Sequence, residues 1–407
     1  MLHGPSTEFI ATSPRERELV AWINGLFEVA LKKEYSDIHL ETDHDNEDMR
    51  VRVRFEGSLR EIHRLDAADA HLLATKIRSR CRLSQNDTRA PQDGRFLQIC
   101  GDRRADVRVS IMVTGTEGVS VVMRLLDSAN AGRAIGSLEM PPAVEAVFQA
   151  NLRRKEGMIL AAGPTGSGKT TTLYAALNAL NTPDRKNISI EDPIEYHQNG
   201  VQQVQVGEGT GRTFASVLRA VLRQDPDGIL VGEIRDEETA SIAAKAAMTG
   251  HIVLSTIHTN SAVETITRLL DMGLPLHVMK SALRLIIAQR LVPTLCPVCK
   301  ADRPVTDEDA RIFLEHGVDQ PEKLKMAVGC PECQRGYRGR VAIFEVLEVN
   351  AAFRRALGND ISQINDNLLL EAAMAQPQYM PIRKWALRLA AQGRTTLEKA
   401  MELVYED

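Results

Sequence analysis

Apolar residues recur at helical spacing over residues 15–33, at Leu19, Trp22, Ile23, Leu26, Phe27, Ala30 and Leu31, and predict an amphipathic helix. SDIHLE (36–41) and MRVRVRFEG (49–57) alternate apolar and polar positions instead, which predicts two strands joined by the acidic loop TDHDNED (42–48). A helix near 67–83 and strands near 94–99, 104–112 and 119–125 complete a small α+β domain. DSANAGRAIGSLEMPP (127–142) has no periodicity and is rich in Gly, Ser and Pro, so the domain junction is expected there. From 157 the pattern becomes strand, turn, helix, repeated: GMILAAG, a Gly-rich turn and an Ala/Leu-rich helix, NISIEDPIEY, a helix ending RQDPD, GILVGE, EETASIAAKAAMTG and HIVLSTIH. That alternation predicts an α/β fold, a parallel sheet with helices on both faces and ligands at the carboxyl ends of its strands. The chain from about 300 reads as a second cysteine pair followed mostly by helix, and 301–329 carries no motif. The expected division is a domain over 1–130, a linker over 131–150, and a larger domain over 151–407 that includes a cysteine subdomain at 295–345.

A length of 407 residues supports two or three domains with a sizeable core. With 43% hydrophobic and 26% charged residues the chain has the composition of a soluble globular protein. Its formal net charge of -4 offers no global attraction to nucleic acid. The first twenty residues lack a basic region followed by an apolar core, and no apolar run reaches the length of a membrane span. A cytoplasmic protein is expected, recruited to any membrane by a partner.

GPTGSGKT fits G-x-x-x-x-G-K-[ST] between an apolar strand and a helix. Gly163, Pro164, Thr165, Gly166, Ser167, Gly168, Lys169, Thr170 and Thr171 are therefore the candidate nucleotide-binding residues. Backbone amides and the helix amino terminus face the phosphates, Lys169 reaches the β and γ groups, and the Thr170 hydroxyl ligates Mg2+. Hydrolysis also needs a magnesium shell, a group that orients water, and positive charge for the transition state. Glu191, Asp192 and Glu195 follow one apolar strand, Glu233 and Asp236 another, and His258 closes a third that opens with His251. From the residues alone these acids are either phosphate-site carboxylates or first-turn helix charges, and a lone His is more often structural. Cys296, Cys299, Cys330 and Cys333 form two C-x-x-C pairs that suit one closed, structural zinc site, the alternative being two redox pairs.

In this order, GPTGSGKTTTLYAAL, ISIEDPIEY, RQDPDGILVGEIRDEETA and TGHIVLSTIHTNSA resemble the Walker A, Asp box, Walker B and His box of the secretion ATPases of type II secretion and type IV pili. The likeness extends upstream to SDIHLE, VRVRFEG and PQDGRF and downstream to IIAQRLVPTLCPVC and GCPECQRGYRGRVAIFEVL. It implies a RecA-like P-loop ATPase core, a PAS-like amino-terminal domain and a tetracysteine zinc element followed by helices. By the resemblance Glu233 is catalytic, Glu191 leads the magnesium-shell acids, and His258 belongs to the phosphate site. Arg95, Arg108 and Arg124 match arginines that contact nucleotide phosphates across a domain interface; from the residues alone they are equally exposed strand cations. The family implies a homo-hexamer, ATP with Mg2+, and an inner-membrane platform protein as partner. The tetracysteine element favours pilus assembly or secretion over retraction. The chain starts almost at SDIHLE, where many assembly ATPases have a further domain, so a compact branch is expected. The competing readings are a DNA-translocating RecA-like ATPase, against which the acidic charge and the Asp and His boxes stand, and a nucleotide-binding regulator without turnover, against which Glu233 stands.

Overall fold

The computed structural model describes residue 9 and residues 11–43, 48–85, 89–115, 118–127, 132–207 and 211–405. Residues 44–47 of the expected acidic loop and 128–131 of the expected junction lie outside them. The chain divides into two units, Met1–Ala131 and Gly132–Asp407.

The first unit contains α1 (Pro14–Lys32), β1 (Asp37–Asp43), β2 (Asp48–Phe55), β3 (Ser58–Asp66), α2 (Ala67–Arg80), β4 (Gln92–Cys100), β5 (Arg103–Thr114) and β6 (Gly118–Asp127). Ser13 and Glu16 form a reciprocal capping box that starts α1, with Pro14 in its first turn. The strands make one antiparallel sheet in the order β3-β2-β1-β6-β5-β4. Met49, Val51 and Val53 of β2 and Val107 and Val109 of β5 pack with Ile23 and Phe27 of α1 and Leu73 and Ile77 of α2. Strand β3 is absent from the sequence-based reading. It is an edge strand with only Leu65 buried, so charge hides its alternation. The signal was the turn before it, where Glu56 and Gly57 take φ of +47° and +79°.

The second unit contains α3 (Pro142–Leu152), β7 (Gly157–Ala162), α4 (Lys169–Leu180), β8 (Asn187–Glu191), β9 (Val201–Gln205), α5 (Phe214–Val221), β10 (Gly228–Val231), α6 (Glu237–Met248), β11 (Ile252–Ile257), α7 (Ala262–Asp271) and α8 (Leu276–Ala282). It continues with β12 (Leu283–Leu295), β13 (Ala301–Pro304), α9 (Asp307–Glu315), β14 (Lys323–Met326), β15 (Tyr337–Glu348), α10 (Ala351–Ala356), α11 (Asp366–Met374), α12 (Ile382–Ala391) and α13 (Leu397–Tyr405). Seven strands form a sheet ordered β15-β12-β7-β11-β10-β8-β9. All neighbours pair in parallel except β15, which runs antiparallel to β12. Every residue of β7, β10 and β11 is buried, as expected for strands covered on both faces. Phe148 of α3 and Leu173 and Leu177 of α4 cover one face. Leu218, Ala243, Ile266, Met279 and Phe353, from α5, α6, α7, α8 and α10, cover the other.

Two expectations change here. The sheet is mixed rather than wholly parallel, because β15 closes its edge as an antiparallel partner. The region after 300, expected to be mostly helix, also contributes the twelve-residue strand β15 and the small antiparallel pair β13-β14 flanking α9. Residues 301–329 thus fold as a subdomain whose Phe313 and Leu324 pack with Leu387 and Leu397 of the C-terminal helices.

Candidate functional site

Strand β7 delivers the chain to Gly163, and the loop ends where α4 begins at Lys169. Gly163 and Gly168 take φ of +145° and +90°. A Cβ would meet the Gln289 carbonyl oxygen at 2.6 Å on Gly163 and the Gln289 side-chain nitrogen at 2.6 Å on Gly168. The backbone angle requires glycine at both positions, and at Gly163 the close approach of a main-chain oxygen requires it as well. Pro164, Thr165, Gly166 and Thr170 are exposed, Thr171 and Gly168 half-buried, and Ser167 and Lys169 buried. The Lys169 ammonium donates to the carbonyls of Gly163 (2.7 Å) and Pro164 (2.9 Å). Burial pulls its pKa down to about 8, Glu233 opposes that shift, and Arg290 adds to it.

The strand that ends in His258 lies directly beside β7, and the strand that leads to Glu233 lies one place further. Gly232 joins these ends. Its N–H donates to Ile190 (2.8 Å), its carbonyl accepts from the Thr256 hydroxyl (2.7 Å), and a Cβ would lie 3.1 Å from the Ile190 oxygen. Glu233 follows, its side chain 13% exposed, with Arg235 Nη2 at 2.5 Å from one oxygen and His258 Nε2 at 3.7 Å from the other. Burial lowers the His258 pKa, with Lys169 and Arg235 pushing the same way and Glu233 opposing, which favours the neutral ring. Lys169, Glu233 and His258 thus form one electrostatic cluster at the carboxyl ends of the strands.

Glu191 is placed differently. It closes β8, on the far side of β10 from β7. Its buried carboxylate accepts from the Tyr174 hydroxyl, from Ser189 Oγ (2.5 Å) and from Gln203 Nε2 (3.1 Å). Burial and the Glu191 charge together push the Tyr174 phenol pKa far up. Asp192 beside it is exposed. Asp236 accepts from the Thr239 N–H at 2.7 Å and caps α6, while His251 bonds the Ala246 carbonyl at 3.0 Å.

Gln289 and Arg290 on β12, the other neighbour of β7, were not singled out from sequence. Arg290 is 4% exposed and donates to Asn260 Oδ1 (3.1 Å) in the loop after His258. It lines a cavity of about 450 Å³ with Pro164, Gly166, Leu291, Arg340 and Lys399. The available signal was two polar residues inside the apolar run IIAQRLV.

The arginines of the first unit share one cross-strand row. Arg95 faces Arg108, Arg108 faces Arg124, and Arg124 faces Asp37. Arg124 Nε donates to Asp37 at 2.9 Å. Like charges directly opposite one another are unfavourable on a sheet, and at Arg124 the Asp37 carboxylate offsets that cost.

The four cysteines converge where β12 ends and β15 begins. Their sulfurs all lie within 4.8 Å of one another, with Cys296–Cys330 at 3.9 Å and Cys299–Cys333 and Cys330–Cys333 at 3.7 Å. Tetrahedral Zn–S bonds of about 2.3 Å place sulfurs about 3.8 Å apart. The Gly329 and Cys330 amides donate to Cys299 and Cys333 sulfurs, each at 3.3 Å. The donor set fits a closed four-thiolate site.

A family model described as type II/IV secretion system protein matches residues 14–402. The chain is 41% identical over 404 residues to type II secretion system protein E of Aeromonas hydrophila, covering 99% of this chain and 79% of that protein. It is 40% identical over 399 residues to type IV pilus assembly ATPase PilB of Myxococcus xanthus, covering 96% and 69%. The solved structure of the pilus retraction motor PilT with bound ADP is similar at a TM-score of 0.66 and 30% identity, covering 94% of this chain and 96% of that one. The ATPase DotB of Legionella pneumophila shares the fold at a TM-score of 0.69 and 22% identity, covering 95% and 96%.

Proposed function

The chain belongs to the type II/IV secretion system protein family, and on that footing we propose that it hydrolyses ATP to ADP and phosphate to power pilus assembly or type II-like secretion. The observation that carries the reading is Glu233 held beside His258 and Lys169 at the strand ends next to the phosphate loop. The loop amides and Lys169 would bind the phosphates, and the Thr170 hydroxyl would hold a Mg2+ that supplies charge neutralisation. Glu233 orients the attacking water and takes its proton as the bond from the γ phosphorus to the bridging oxygen breaks and ADP leaves. Neutral His258 hydrogen-bonds on the γ-phosphate side. Glu191 acts on the magnesium side by fixing the strand end that carries Asp192, since its own carboxylate already accepts from Tyr174, Ser189 and Gln203.

The first unit serves as the PAS-like domain of a hexameric ring, and its row of Arg95, Arg108 and Arg124 supplies cations to nucleotide phosphates. Cys296, Cys299, Cys330 and Cys333 hold a structural zinc. On the footing of the family, the reading is a cytoplasmic ring recruited to an inner-membrane platform protein; no helix among the described residues is long and apolar enough to cross a membrane. The test replaces Glu233 with Gln in the native host, then counts surface pili and assays exported proteins. Loss of pili alone assigns a pilus motor, and loss of export alone a secretion motor. If both survive, the motor reading fails, and DNA-stimulated turnover would favour a translocase.

A further inference from the structure

Gln289 sits on β12, on the side of β7 away from His258 and Glu233, and is 2% exposed. It directly follows the buried apolar run Leu285–Ala288. A primary amide in such a run is unfavourable unless its polar atoms are used, and Leu or Met would fill the same volume without that cost. Here Oε1 accepts from Thr172 Oγ1 at 2.7 Å, and Thr172 is itself fully buried. The side-chain nitrogen lies 2.6 Å from where a Cβ on Gly168 would stand, and the main-chain oxygen 2.6 Å from where one on Gly163 would stand. Gly163 opens the phosphate loop and Gly168 ends it. Both ends are therefore packed against one residue.

We propose that Gln289 is a positioning residue for nucleotide phosphates: locked by Thr172, its amide sets the height of the phosphate loop above the sheet and the rotation of the first turn of α4. That turn carries Lys169 and Thr170, two and three residues before Thr172 in the order Thr170, Lys169. A displacement of about 1 Å in such groups is enough to lose most of a binding interaction. The inference rests on the ATP-site reading above and names a residue that tunes that site from outside its recognised motifs.

The test uses the full chain and two volume-conserving variants that remove the same bond from opposite ends, Gln289→Met and Thr172→Val. ADP affinity is measured by calorimetry, ATP turnover at steady state, and thermal midpoint by scanning calorimetry. Each variant should raise the ADP Kd and the ATP KM about tenfold, the scale of one buried hydrogen bond. The kcat at saturating ATP should stay within about threefold, because Glu233 and His258 are untouched. The double variant should be no worse than either single one, since both remove one interaction. Unchanged ADP affinity in both variants, or losses confined to the thermal midpoint, would overturn the proposal, as would independent multiplication of the two affinity losses. If the unaltered chain itself fails to bind ADP, the ATP-site reading falls and this inference with it.

Discussion

Glu191 and Glu233 both come at the ends of buried parallel strands of one sheet, and both precede a turn rich in acids. Their surroundings differ. Glu191 is 4% exposed and accepts from Tyr174, Ser189 and Gln203. Glu233 faces ionisable partners instead, Arg235 at 2.5 Å and His258 at 3.7 Å, within the field of Lys169. A carboxylate saturated by protein donors holds structure, whereas one beside exposed ionisable side chains is available to a water molecule. Two acids that look alike in sequence are separated by the order of strands in the sheet.

Turnover should separate the two acids most. Glu233→Gln should lower kcat by at least about a hundredfold while leaving ATP binding intact, measured by phosphate release beside nucleotide titration. Equal turnover would remove Glu233 from the catalytic role. Glu191→Gln should act on the fold first. Replacing one buried acceptor of three donors costs on the order of 1–3 kcal/mol, seen as a lower denaturation midpoint, with a smaller loss of kcat than at Glu233. A larger kcat loss at Glu191 with stability unchanged would invert the two roles.

The pH dependence of nucleotide binding sharpens the difference further. Lys169 must be protonated to bind phosphate well, and its pKa is down to about 8 in the free protein. ADP affinity should therefore be full at pH 7 and fall as pH rises through about 8. Glu233 pushes that pKa up, so Glu233→Gln should move the fall to lower pH, and Glu191→Gln should leave it in place. The smallest effect on the nucleotide site is expected from the cysteines, which lie at the far end of β12 and the start of β15. Cys330→Ser should reduce bound zinc, measured by metal analysis, from about one per chain and lower the thermal midpoint, with ADP affinity changing by less than about threefold.

Much of the nucleotide site was legible because its signals are local. The glycines of the phosphate loop answer to backbone angles, and Gly232 before Glu233 to a close approach by Ile190. The two C-x-x-C pairs are readable from their spacing, whereas their convergence on one cluster, against two separate redox pairs, comes from the fold. Strand β3 was not legible, because an exposed edge has no apolar alternation to read. Gln289 and Arg290 were not either, since they act from a strand more than a hundred residues beyond the loop.

Residue types and their local spacing fix the chemistry on offer: a phosphate loop, three acidic or histidine strand ends, four thiols and a set of arginines. They also fix the alternating strand and helix pattern that forces a largely parallel sheet. Only the tertiary structure decided which strand lies beside β7, and hence that His258 and Glu233 share the site while Glu191 is held by Tyr174 of α4. It also decided that Arg95, Arg108 and Arg124 stand in one row. The reason is physical: residue type and local spacing fix what a side chain can do, but partners, burial and electric field come from segments far away in the chain.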